Sequence, residues 1–454
     1  MGKETLGYDF KSRSSILSYA KRLINHTLLD LTDAPKVKEM RNSRKKGIFG
    51  QFLEKYYFGL DINSDSGPDF KEAKLELKST GVFYKNGKFK AKERVSLNQI
   101  NFKDIYQLRN IDWEKSHFLF KNNHILFVMY KYEKEVSEVQ REICLVDLWE
   151  IIGSEEEDLI KNDWEYIVKK IKSGKAHELS EGETLLLGAA RKGNEKVPGK
   201  YLPDLPGAKK RAFAFKQTYV QTIIDKLSQQ QKVSFGNEFK KKNPHIVIEN
   251  KFKKFKGLTC NEIEKKLNIV LNKKAKSYYH HIAEKILGDD AKTLLSIANV
   301  QMKIIRLQEN GTPKESMSFP YFKSVEVAEQ SWDESDFFNQ VEQGFFFVVF
   351  QIRGSKVFFD KVFFWNMPYL DRLEAEKVWT HTHNLIKSNG VKIVRKNNKN
   401  YNNFLGSKDT KVAHVRPHGK NGSDYDVLPN GKKIGKQGFW LNAKYLKKIV
   451  GENG

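Results

Sequence analysis

The sequence predicts a mixed α/β protein in which one domain design is used twice in tandem. Three observations carry this reading. Helical and strand periodicities alternate along the chain, as they do where helices pack on a sheet. The 454 residues exceed what one core usually organises. Four segments of the first half return, diverged but in the same order, in the second.

Taken in order, residues 14–31 place apolar side chains at helical spacing, and residues 48–59 form a second helix stopped by Gly59. A turn-rich stretch follows, from Asp61 to Pro68. Residues 74–78 then alternate charged and apolar, as a strand with one wet face does. Lys-Asn-Gly-Lys at 85–88 is a hairpin turn. Residues 124–131 and 142–147 are further strands. Residues 155–172 run from acidic to basic, matching a helix dipole. Between about 225 and 258, Gln229 to Gln231 and the lysine runs at 240–242 and 251–256 carry few core signals, so a linker or basic surface segment is expected there.

The repeat pairs residues 205–224 with 428–450, both carrying Leu-Pro, a Gly, Lys-Lys, aromatics and a Tyr-containing helical tail. It pairs 171–175 with 386–390, each after a helix bearing a tryptophan, Trp164 or Trp379. It also pairs 53–61 with 283–291 and 77–87 with 302–311. The expected division is a first domain at 1–225, a linker at 226–257 and a second domain at 258–454.

Lys and Arg number 80 against 56 Asp and Glu, a formal charge of +24. Such a surplus draws a protein to polyanions, of which nucleic acid is the commonest. Two cysteines, Cys144 and Cys260, exclude a disulfide framework or zinc knuckle. No apolar run resembles a signal peptide or membrane span, so an intracellular, cytoplasmic protein with no membrane partner is expected.

The chemistry is concentrated in Pro68-Asp69 and Glu76-Leu77-Lys78. Phosphodiester hydrolysis needs a hard cation near a phosphate oxygen and an attacking water. Two carboxylates supply oxygen ligands and leave room for both. Glu76 and Lys78, two apart on a strand, face the same side, so Lys78 is placed to orient the water and steady charge on phosphorus. Leu77 points into the core, leaving its backbone carbonyl as a further metal ligand. Asp-x6-Glu-x-Lys alone also fits a solvated strand face. Glu54 on the preceding helix and Lys121, closing the segment Ser116 to Lys121, add a third carboxylate and a second cation.

With these residues in view, 46–54 (KGIFGQFLE), 67–80 (GPDFKEAKLELKST), 113–121 (WEKSHFLFK) and 162–172 (NDWEYIVKKIK) resemble MutH, the strand-nicking endonuclease of methyl-directed mismatch repair. They are similar, more closely, to the type II restriction endonucleases that cut at GATC and carry two such domains in one chain. The resemblance implies a restriction-endonuclease-like fold and Mg²⁺-dependent cleavage of double-stranded DNA. It implies Asp69 and Glu76 as metal ligands, Lys78 as the active-site lysine, Glu54 as an accessory carboxylate and Lys121 beside the phosphate. Lys46 is implied as a DNA contact, and Arg191-Lys192 falls where a base-reading loop belongs, an arrangement suited to guanine O6 and N7 or to plain phosphate contact. Lys216 is grouped with the DNA-binding residues, and the family's aromatic near Phe213 to Phe215 falls on Ala214.

In the second copy, Lys303 aligns with Lys78, Gln301 with Glu76, Leu294 with Asp69 and the neighbourhood of Val341 with Lys121. An amide is a far weaker ligand than a carboxylate, so this copy is expected not to cut. Arg416, Lys432 and Lys433 remain as DNA-binding candidates, and a module holding a second DNA site is expected. The chain is expected to be a monomer in solution, dimerising or looping DNA when two sites are bound. A repair nickase working with mismatch-repair partners and a non-catalytic DNA-binding protein are the alternative readings. His280-His281 and His381/His383 lack partners at zinc spacing, and the phenylalanine-rich stretch 345–364 is expected to be core.

Overall fold

The computed structural model describes residues 7–31, 47–60, 66–193, 199–229, 237–239, 242–396, 399–419 and 424–453. The chain divides into two compact units. The first comprises Met1–His177, Thr184–Lys241 and Ser296–Asn299, the second Glu178–Glu183, Lys242–Leu295 and Val300–Gly454.

In the first unit the strands are β1 (Glu76–Lys85), β2 (Lys88–Ala91), β3 (Val95–Gln99), β4 (His124–Lys131), β5 (Ile143–Glu150), β6 (Leu187–Arg191) and β7 (Arg211–Phe215). They form two sheets, ordered β2-β1-β4-β5 and β3-β7-β6. β1 and β4 run parallel, with Lys78 opposite Phe127, and β4 and β5 run antiparallel. β1 and β2 close a hairpin at Asn86 and Gly87, both at positive φ (54° and 73°). That is the backbone Asn-Gly adopts in a two-residue turn matching strand twist. β4 is buried almost throughout, as a central strand covered on both faces must be.

The first helix is shorter than its periodicity suggests. It covers Arg13–Ala20, continues as a 3-10 turn over Lys21–Leu23 and breaks where Asn25 takes φ 65°. The second runs α-helical over Ile48–Phe52, then loosens to a π-helical turn over Leu53–Tyr57. Leu77, Phe49, Phe52, Leu53 and Tyr130 meet in one core.

The second unit repeats this plan. Its strands are β8 (Val300–Leu307), β9 (Met317–Phe322), β10 (Gly344–Arg353), β11 (Lys356–Trp365), β12 (Ile393–Lys396), β13 (Lys399–Asn402), β14 (Ala413–Pro417), β15 (Tyr425–Val427), β16 (Lys433–Gly435) and β17 (Gln437–Leu441). The sheet β11-β10-β8 again joins a parallel to an antiparallel pair, with Lys303 opposite Phe347. The sheet β14-β17-β9 mirrors β6-β7-β3. Ser116 caps the helix His117–Asn122, and Ser335 caps Asp336–Val341 by the same bond. Trp113 packs on Trp164 at 5.5 Å between ring centroids, and Trp332 on Trp379 at 5.7 Å. The long helices Glu157–Lys172 and Tyr369–Lys387 both stop at a serine followed by a positive-φ residue, Gly174 or Asn389. The phenylalanines at 345–347 are fully buried.

The stretch expected as a linker is only partly that. Pro244–Lys253 is a helix, capped by Asn243 and burying Ile248 and Phe252, and it belongs to the second unit. Its lysines hide an apolar face at helical spacing, with Pro244 at the first turn, where proline is tolerated.

Candidate active site

The site begins with a tight reversal. Phe70 and Leu75 form an antiparallel bridge, and Lys74 takes φ 51° to close it. The chain thereby folds Asp69 back onto the start of β1, where its Oδ2 accepts the Leu77 N–H at 2.8 Å. Asp69 therefore lies in the approach to β1. Leu77 turns its side chain into the core, so Glu76 and Lys78 share the other face.

Glu76 is 1% exposed. Lys78 Nζ donates to its Oε1 at 2.6 Å, and Lys121 Nζ stands 3.7 Å from the same oxygen. Burial raises the Glu76 pKa, and Lys78 opposes that rise. Its other oxygen, Oε2, is buried and has no hydrogen-bond partner among the described residues. Lys121 also donates to the Gly67 carbonyl at 2.9 Å, and His117 Nε2 lies 2.8 Å from the Ser66 carbonyl. Two residues of one helix thus tie down the turn that carries Asp69. His117 holds this turn in place, and its residue type and spacing in the sequence carry no signal of that contact.

Glu54 sits in the first turn of the π-helical stretch, a widening that recurs at functional sites. Its carboxyl is pushed up to about 7, first by burial, then by Asp69, with Glu76 adding to the rise and Lys78 and Lys121 opposing it. Glu54, Asp69, Glu76, Lys78 and Lys121 thus form one electrostatic cluster. From its ordinary 4.5 to about 7, the folded chain keeps a proton here that the unfolded chain has released. The stability contribution of this group therefore falls as pH rises through that window. Glu54→Gln is expected to raise the melting temperature of the metal-free protein near pH 8 and leave it almost unchanged near pH 4. Calorimetry at both pH values checks this, and an equal shift at both would contradict it.

The DNA-binding candidates fare unequally. Arg191 ends β6 half-buried, and Lys192 beyond it is exposed, its N–H held by the Lys210 carbonyl. Lys46 lies outside the described residues. Lys216 is a correction. It is 6% exposed, and its ammonium donates to the carbonyls of Thr184 and Ala298. Burial lowers its pKa and the Asp163 charge raises it, so it is a structural partner, not a phosphate contact. Asp163 in turn accepts the N–H groups of Leu185, Leu186 and Leu187 at 2.6–2.9 Å, fixing the entry to β6.

In the second unit the register of β8 on β10 puts Gln301 where Glu76 stands. Its amide donates to the Gln343 side chain. The shared serine caps place Gln340, one residue from Val341, at the helical position of Lys121. Arg416 is exposed over the Trp440 ring at 4.5 Å, and Lys433 lies over Tyr425 at 4.3 Å. Lys432 is exposed beside it. His383 packs on Trp379 and meets the Val327 carbonyl, so it is a packing residue.

The family model for the DNA mismatch repair enzyme MutH matches residues 58–163, a span that holds Asp69, Glu76, Lys78 and Lys121. The type II restriction enzyme Sau3AI of Staphylococcus aureus is 30% identical over 97% of this chain and 99% of its own length. The chain belongs to the MutH-like type II restriction endonucleases. DNA mismatch repair MutH proteins of Vibrio campbellii and Shewanella woodyi are each 27% identical, over 39% and 48% of this chain. A MutH-like restriction endonuclease thus accounts for both units, whereas the repair enzymes account for about one. Among the described residues, no helix is long and apolar enough to cross a membrane.

Proposed function

We propose that this restriction endonuclease hydrolyses double-stranded DNA at GATC with Mg²⁺, and that cleavage resides in the first unit. The single observation that carries the site assignment is the buried Glu76 carboxylate, clamped by Lys78 on one oxygen and without a partner among the described residues on the other. A buried carboxylate oxygen with no donor is unfavourable unless a cation faces it. Among the described residues, no three His, Cys, Asp or Glu side chains already close around a cation position. The donor set of Asp69, Glu76 and the Leu77 carbonyl, with Glu54 nearby, is instead the sparse one with which Mg²⁺ keeps several waters. Bound there, the ion supplies charge neutralisation at the phosphate and a more acidic water.

The protein's own groups do the rest. Lys78 orients the attacking water and lies close to the phosphoryl oxygens. Lys121, anchored through Gly67, stands beside the same phosphate. Glu54, poised near neutrality, holds a proton released from the water. The water oxygen bonds to phosphorus in line, the bond from phosphorus to the 3′ oxygen breaks, and the departing oxygen takes a proton from solvent, so 5′-phosphate and 3′-hydroxyl ends result. Arg191 and Lys192 supply base or phosphate contacts at the end of β6. The second unit, lacking the carboxylates, holds another DNA site through Arg416, Lys432 and Lys433, so that two sites are engaged by one chain or by a dimer on DNA. The protein works in the cytoplasm.

The experiment is digestion of duplexes that differ only at one GATC, with Mg²⁺ and with chelator. Double-strand cuts confined to the GATC duplex and abolished by chelator are expected. Cutting at unrelated sequences would overturn the site assignment. Single-strand nicks that need mismatch-repair proteins would favour the repair reading.

A further inference from the structure

The second unit keeps a lysine where its active site would have been. Lys303 lies opposite Phe347 on a parallel strand pair, as Lys78 lies opposite Phe127. Around it opens a cavity of about 280 Å³ along β8, lined by Lys276, Tyr279, His280, Lys303, Arg306 and Lys314, among others. The balance of charge in its wall is strongly positive. Glu315, the acidic residue lining it, is 68% exposed and already paired with Arg306 at 2.8 Å. Glu284 lies 3.6 Å from His280.

The contrast with the first unit is chemical. There Lys78 is neutralised by Glu76 at 2.6 Å, and the carboxylates repel a phosphate unless a cation intervenes. In the second unit Gln301 replaces the carboxylate and turns its amide to Gln343. Among the described residues Lys303 has no ion pair, and burial alone lowers its pKa. A largely buried ammonium without a counter-charge is unfavourable, and an anion in the cavity relieves it. The cationic lining around Lys303 therefore faces an anion with no carboxylate of its own but the exposed, paired Glu315.

We propose that this cavity binds a phosphate group, with Lys303 as its inner cation and Arg306 and Lys314 at its mouth. The group is either free phosphate or a phosphodiester of bound DNA. This inference stands apart from the nuclease reading, because its readout involves no cleavage.

The test maps acylation of lysines in the full-length protein by mass spectrometry, without divalent ions. The probes are inorganic phosphate, a short duplex and chloride at matched ionic strength. Saturable protection of Lys303 by phosphate is expected, reaching about tenfold at ten times the dissociation constant. Exposed Lys356 should be unaffected. Arg306→Gln should raise the half-protecting concentration about tenfold. Protection by the duplex alone would assign the cavity to backbone phosphate. Equal labelling with and without both probes, or equal protection by chloride, overturns the proposal. If Lys303 reacts too slowly to follow, calorimetric titration with phosphate decides. Wild type should bind one more phosphate than Lys303→Met, and equal stoichiometry overturns it.

Discussion

Lys78→Ala is expected to slow strand cleavage by about 10²–10³-fold while leaving DNA affinity near wild type. The ammonium touches Glu76 at 2.6 Å, and in the proposed mechanism its charge matters most as negative charge builds on phosphorus. Removing it also frees the buried Glu76 carboxylate, whose pKa Lys78 holds down. The variant is therefore expected to need higher pH, or more Mg²⁺, to reach its own maximum rate. Single-turnover cleavage with saturating enzyme separates the chemical step from binding. A loss confined to affinity would place Lys78 outside the reaction.

Asp163→Ala is expected to destabilise the first unit by about 3–5 kcal/mol, because it removes the acceptor of three buried N–H groups and leaves the Lys216 ammonium buried without its counter-charge. For a unit of this size that corresponds to a fall in melting temperature of roughly 10 °C. Lys216→Met should lower it less, since Asp163 keeps its three backbone donors. Thermal unfolding of both variants checks the order, and equal losses would contradict it. With Arg191 and Lys192 in their proposed role, the variant should also bind DNA more weakly, because Asp163 holds the entry to β6 and they stand at its end.

The cluster around Glu76 and Lys78 was legible in the sequence because a strand imposes its own geometry. Two residues apart on β1 means one face, so Glu76 and Lys78 had to meet, and Leu77 had to turn inward. The repeat was legible for a similar reason. Stop signals such as Ser-Gly after Lys172 and Ser-Asn after Lys387 depend on local backbone conformation and survive divergence. The register of β8 on β10 then places Gln301 and Lys303 as the repeat predicts. What escaped was whatever depends on distant neighbours. Lys216 looks like a surface cation in sequence, and only the burial of Asp163 from another helix makes it a core residue. The tie from His117 to Ser66 spans 51 positions without a pattern to announce it. The helix Pro244–Lys253 was hidden because only a few buried apolar residues hold it and the lysine run 251–256 overlaps its end.

That the cluster in the first unit does the cutting is tested most directly by single-turnover cleavage of a GATC duplex with Mg²⁺ by wild type, Asp69→Ala and Gln301→Ala. Asp69 holds the Leu77 N–H and in the proposed mechanism would supply a metal ligand, worth several kcal/mol in the transition state, so Asp69→Ala should cut about 10³-fold more slowly or not at all. Gln301→Ala should keep the wild-type chemical rate. Cleavage that survives in Asp69→Ala, or that disappears in Gln301→Ala, would contradict it.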